Sequence, residues 1–196
     1  MLLINHIKDF CKINYKNITA NFDEIEITVD KNDLIEMIMF LKDDHSCLFE
    51  QLTDITAIDY PDKYNRFLII YQFVSISNNN RIRVLSAITE NDTIPSITNI
   101  YPSANWAERE IWDMFGIFVD GHPDLRRILT DYGFQGHPLR KDFPLTGHLE
   151  VNYDLDEKRV VYNPVNLVQD FRDFDFSSPW GVEVEHKRTN IEREND

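Results

Sequence analysis

Between Glu108 and His148 the sequence gathers residue types that can transfer protons, bind metal or form ion pairs. Glu108, Glu110 and Asp113 come first, then His122, His137 and His148, with Arg109, Arg126, Arg127 and Arg140 among them. Carboxylates at i, i+2 and i+5 point in different directions around a helix. Neither Glu-x-x-His nor His-x-x-x-His occurs, so spacing offers no metal-ligand set. His122 and His137 are followed by Pro123 and Pro138, and an imidazole in such a turn is expected to bond backbone rather than exchange protons. No Gly-x-Ser-x-Gly elbow, Gly-x-Gly-x-x-Gly turn or phosphate loop is present. What remains is ion-pair chemistry. Gly-His-Pro followed by Leu-Arg occurs twice, at Gly121 to Arg126 and at Gly136 to Arg140. Glycine turns the chain, proline stiffens it, and the arginine leaves a constrained backbone, an arrangement suited to forking onto a carboxylate. Read by spacing alone, two turns with solvated arginines are the competing description.

These residues must be positioned by a helix. Pro102 and Ser103 predict its start, with Ser103 as cap, and Gly116 predicts its end in a left-handed C-terminal conformation. Ala107, Ile111 and Met114 or Phe115 recur at helical spacing as a buried stripe, with Glu108, Arg109, Glu110 and Asp113 off it. Arg109 and Asp113, four apart, are placed to pair. Trp106 and Trp112 fall on different faces, one expected in the core and one at an interface.

Upstream, Leu3, Ile7, Phe10 and Cys11 predict a short amphipathic helix ending near Tyr15, and Asn17 and Asn21 predict turns. Glu24 to Val29 alternates as a half-buried strand, and Leu34 to Leu41 is helical, with Asp33 and Glu36 at capping-box spacing. Asp54 to Tyr60 is a strand. Arg66 to Ser77 and Arg81 to Thr89 form a hairpin about Asn78 to Asn80, and Thr93 to Ser96 starts a short helical turn. The fold class is therefore α+β, an antiparallel or mixed sheet of about four strands with helices on one face. Residues 1–120 form that domain. Residues 121–182 are an extended partner-binding segment with the signature turns, where Lys158 to Tyr162 suits a short strand and Phe174 and Trp180 are anchors among acids. Residues 183–196 are a charged, disordered tail.

Composition narrows the function. A net charge of −14 and a pI near 4.7 oppose binding to nucleic acid or anionic lipid. No run approaches the roughly 18 apolar residues of a membrane span. Cys11 and Cys47 are the only cysteines. Without a CxxC, or a histidine at ligand spacing from either, they are expected to be reduced thiols that hold no redox metal. No Arg-rich transit segment opens the chain.

Glu108 to Leu129, Glu-Arg-Glu-Ile-Trp-Asp-Met-Phe-Gly-Ile-Phe-Val-Asp-Gly-His-Pro-Asp-Leu-Arg-Arg-Ile-Leu, resembles the signature of the 30 kDa subunit of respiratory complex I, the NADH:ubiquinone oxidoreductase. The resemblance continues through Thr130 to Phe134, Gly136 to Leu145, Phe171 to Phe176 and Ser178 to Trp180, with Ala107 and His148 as departures. It implies a peripheral-arm, quinone-module subunit docked on the 49 kDa subunit and its neighbours, with an extended C-terminal segment along that partner. The role it implies is structural: flavin mononucleotide, iron–sulfur clusters and ubiquinone belong to the whole complex, and no residue of this chain is catalytic or binds a cofactor. Glu108, Arg109, Glu110, Asp113, His122, Pro123, Arg126, Arg127, His137, Arg140, Phe174 and Trp180 are then signature residues, forming ion pairs and contacts within the chain or across the interface. Abundant isoleucine, asparagine, lysine and aspartate, together with the resemblance, suggest a mitochondrially encoded form on the matrix side of the inner membrane. A bacterial form, on the cytoplasmic face of the plasma membrane, is the alternative. A stand-alone enzyme built on Glu108 and His122 and a soluble adaptor are the competing functions.

Overall fold

A computed structural model describes residues 2–21, 24–169, 171 and 172. Phe174, Trp180 and the tail from 183 lie outside the described residues. Helix α1 (Leu2–Phe10) leads to β1 (Asn17–Asn21), β2 (Glu24–Val29), α2 (Leu34–Asp43), β3 (Gln51–Asp59), β4 (Phe67–Ser75) and β5 (Asn80–Ile88). Next come β6 (Thr93–Pro95), α3 (Ala104–Phe115) and β7 (Phe118–Asp120), and last the hairpin β8 (Leu149–Asp154) and β9 (Arg159–Pro164).

The five-stranded sheet has the order β1-β2-β5-β4-β3, parallel between β2 and β5 and antiparallel elsewhere. Period-two burial decides its inner face. Phe67, Ile69, Tyr71 and Phe73 of β4 line up with Ile82, Val84 and Ile88 of β5 and Ile25, Ile27 and Val29 of β2, all buried. Leu34, Met37, Ile38 and Leu41 of α2 and Ala104, Ile111, Met114 and Phe115 of α3 complete the core. Asn79, at φ +52, turns the β4–β5 hairpin as its asparagines predict.

Several local expectations are corrected. Asn17 and Asn21 bound an edge strand instead of marking turns, since Ile18, Thr19 and Ala20 between them pair with β2. Thr93 to Pro95 is a strand and not a helical turn, because Ile94 is buried and pairs in parallel with Val119 across α3, a long-range contact that local pattern cannot show. Helix α1 stops at Phe10, short of Tyr15. Neither Asp33 nor Ser103 makes a side-chain cap; both sit in the right-handed helical region, where the backbone already continues the helix. Gly116 does end α3 in the left-handed conformation, at φ +76.

Residues 1–145 form one compact unit and 146–196 a second. Within the second, the β8–β9 register puts Leu149, Val151 and Tyr153 opposite Pro164, Tyr162 and Val160. One face of this hairpin is thus apolar, and Val151, Tyr153 and Val160 on it are exposed. Two strands alone are marginally stable in water.

Candidate functional site

The signature is built on the C-terminal half of α3 and the segment that follows β7. A helix leaves its last carbonyls without internal partners. Here the loop supplies them: His137 Nδ1 lies 2.9 Å from the Asp113 carbonyl, the Leu139 N–H donates to Met114 O at 3.0 Å, and Arg140 Nε donates to Phe115 O. Arg127 and Arg140 therefore sit where the helix macrodipole is negative. Gly116 makes this approach possible, because a Cβ there would lie 2.6 Å from His137 Nε2 and 2.7 Å from Arg140 Nη2.

Asp113 is the centre of the cluster. Its side chain is fully buried and accepts from Arg127 Nη1 at 2.7 Å, from Thr130 Oγ1 at 2.6 Å, and from the backbone N–H groups of Ile128, Leu129 and Thr130 at 2.8–3.0 Å. Burial alone would raise this carboxyl, but the Thr130 hydroxyl and amide, the Leu129 amide and Arg127 outweigh it and hold it well below the usual carboxylate range. Arg127 also donates to Gly136 O at 3.1 Å and lies over the rings of Trp112 and Phe134. The expected Arg109–Asp113 pair is not the one formed. Arg109 donates instead to the carbonyls of Arg126 and Arg127, both at 3.1 Å, which places Arg127 at the carboxylate.

Glu108, like Asp113, is buried, although helical spacing puts both off the apolar stripe. The stripe rule assumes that charge stays wet, and here backbone donors have replaced the water. Glu108 accepts from Ile97 N–H and Ser96 Oγ, each at 2.7 Å, and so fixes the chain between β6 and α3. With two neutral donors against its burial, its carboxyl is pushed up, opposite to Asp113. His122 lies 3.9 Å away with its side chain buried. Asp124 N–H donates to its Nδ1 at 3.0 Å, leaving Nε2 to donate to Asn105 O at 3.1 Å. Both of its nitrogens are occupied by backbone groups, as the His-Pro turns predict. Glu110, Pro123 and Arg126 are exposed, and Arg126 pairs with Asp124.

A second cluster joins the first, and sequence reasoning missed it. Arg66 forks onto the buried Asp59 at 2.8 and 3.0 Å, and also reaches Glu90 and Asp142. Arg140 meets Glu90 at 2.7 Å, and Lys141 N–H donates to Asp59 at 2.8 Å. The Arg66 hydrogen bonds lead in holding the Asp59 carboxyl below its usual range. The available signal was Asp59 and Arg66 at the facing ends of two strands.

In this arrangement the buried Asp113 and Asp59 each accept several hydrogen bonds and the arginines are engaged within the chain. On the same elements, Trp106, Leu129 and Tyr132 are 72%, 62% and 75% exposed. Exposed tryptophan and tyrosine rings such as Trp106 and Tyr132 suit an interface. Among the described residues, no helix is long and apolar enough to cross a membrane.

A family profile described as respiratory-chain NADH dehydrogenase, 30 Kd subunit, matches residues 27–149. The C subunit of the NADH-quinone oxidoreductase of Ruegeria pomeroyi (strain ATCC 700808 / DSM 15171 / DSS-3) is 58% identical over 161 residues, covering 82% of this chain and 80% of that protein. Its namesake from Dinoroseobacter shibae (strain DSM 16493 / NCIMB 14021 / DFL 12) is 57% identical over 158 residues, covering 81% and 74%. A chain in the structure of the membrane-bound sulfane sulfur reductase, an archaeal respiratory membrane complex, superposes with a TM-score of 0.61 at 22% identity over 74% of this chain and 84% of that one, a likeness of fold alone.

Proposed function

The chain belongs to the family of the 30 kDa subunit of respiratory-chain NADH dehydrogenase, and from that premise we propose that its work in the complex is structural, with its signature residues shaping a docking surface. It is a peripheral-arm subunit of the proton-pumping NADH:quinone oxidoreductase, and its partners are other subunits of that complex. We infer further that the 49 kDa subunit is its direct partner, that the chain supplies no ligand to flavin, cluster or quinone, and that it serves on the matrix face of the mitochondrial inner membrane, or on the cytoplasmic face of the plasma membrane in a bacterial form.

One observation carries the structural reading: Asp113 and Arg127 spend their hydrogen bonds inside the chain, folding the Gly-His-Pro segments onto the end of α3. That leaves Trp106, Leu129 and Tyr132 facing outward on a fixed frame. The apolar face of the β8–β9 hairpin is a second surface that a partner would dry. Native purification of the assembly, followed by cross-linking from cysteines placed at Trp106 and Tyr132, tests the reading. Cross-links to the 49 kDa subunit are expected; an assembled complex whose cross-links go only to other subunits would refute that partner.

A further inference from the structure

Away from the signature, the fold assembles donors of three chemical kinds that spacing in the sequence did not connect. His6 on α1, Asp44 just after α2 and Cys47 in the turn before β3 bring one ligand atom each within 4.8 Å of one another. Neither cysteine has a histidine at a recognised metal-ligand spacing in the sequence, but packing of α1 brings His6 to within 2.8 Å of Asp44. The turn carrying Cys47 is fixed, since Cys47 N–H and Leu48 N–H both donate to Asp44 O, at 3.0 and 2.9 Å, and Phe49 N–H returns to Leu41 O. Cys47 is fully buried, whereas the His6 and Asp44 side chains are each 22% exposed, so the cluster is closed at the sulfur and open at its rim.

Zinc takes nitrogen at about 2.0–2.1 Å, oxygen at about 2.0–2.2 Å and sulfur at about 2.3 Å, which sets tetrahedral donors about 3.3–3.6 Å apart. The three atoms reach that spacing with shifts on the order of an ångström, His6 and Asp44 opening slightly and the sulfur closing in. We propose that His6 Nε2, an Asp44 carboxylate oxygen and Cys47 Sγ form a zinc site with water in the fourth position, clipping α1 to the end of α2. Cys11 is not assigned to it, because its thiol points to Ile13 O and to Met37 Sδ. Burial and the neighbouring Asp44 push the Cys47 thiol up to about 12, so it keeps its proton until a cation displaces it. Binding forms the zinc–sulfur bond as the S–H proton leaves to solvent, and no electron is transferred.

The test uses the full chain, stripped of metal by chelator under reducing conditions and titrated with cobalt(II) and then zinc. One equivalent of cobalt should give tetrahedral d–d absorption with a thiolate-to-cobalt charge-transfer band that zinc abolishes. Cys47→Ser should lose the charge-transfer band, and His6→Ala should weaken cobalt and zinc binding by about tenfold or more, while Cys11→Ser keeps both the band and the affinity. His6→Ala, a change at a partly exposed helix position, keeps the comparison decisive if Cys47→Ser does not fold. Absence of the band in the folded wild-type chain, or wild-type metal affinity in folded His6→Ala, would overturn the site.

Discussion

Two carboxylates on one helix, Glu108 and Asp113, are both buried and are pushed in opposite directions, so they should leave opposite marks on stability. The Asp113 value is depressed in the folded chain, hence its contribution is complete above the ordinary value of 3.8 and is lost as pH falls through the folded value. Asp113→Asn should unfold more readily by about 3–5 kcal/mol at neutral pH, because it leaves Arg127 without its buried partner, and it should flatten the acid limb. Urea unfolding across pH 2 to 7 measures both. A variant within about 0.5 kcal/mol of wild type would remove Asp113 from the centre of the cluster. Glu108 is raised, so its contribution is complete below 4.5 and declines as pH rises through the folded value. The stability of Glu108→Gln relative to wild type should therefore increase with pH; a constant difference between pH 4 and 8 would contradict this.

At the scale of elements, the junction between α3 and the loop after β7 depends on a bare backbone at Gly116. Gly116→Ala adds a methyl against His137 and Arg140 and forces a left-handed alanine, which should cost about 1–3 kcal/mol and expose residues 121–145 to protease. Unchanged digestion would show that the loop is held elsewhere. Much of this junction was legible in the sequence. Pro102 and Gly116 bounded the helix, because they act through their own backbone, and the second Gly-His-Pro turn leads to the engaged Arg140, whereas Arg126 of the first is exposed as in the solvated description. What was not legible depends on partners distant in the chain. Ile94 reaches Val119 across a helix, Asp59 reaches Lys141, and Asp113 takes Arg127 rather than the Arg109 one turn away. Helical spacing shows which residues can meet on a surface, but not which carboxylate will be dried by a returning loop. The strand at Asn17–Asn21 was hidden for a similar reason, since only pairing with β2 distinguishes it from a turn.

At the scale of the whole molecule, the chain divides after Leu145 into a unit with the buried core and a unit whose described sheet is a single exposed hairpin. A chain ending at Leu145 should thus keep its cooperative melt but lose yield in the assembled complex; loss of the melt would show that the core extends further. We propose that the signature builds a shape and takes no part in the reaction. Arg127→Lys keeps the charge but loses the fork that joins Asp113, Thr130 and Gly136. The decisive measurement is NADH:quinone turnover per assembled complex, alongside the amount assembled, in membranes carrying Arg127→Lys. The expected result is less complex with unchanged turnover in each. A normal amount of complex with lowered turnover would contradict it.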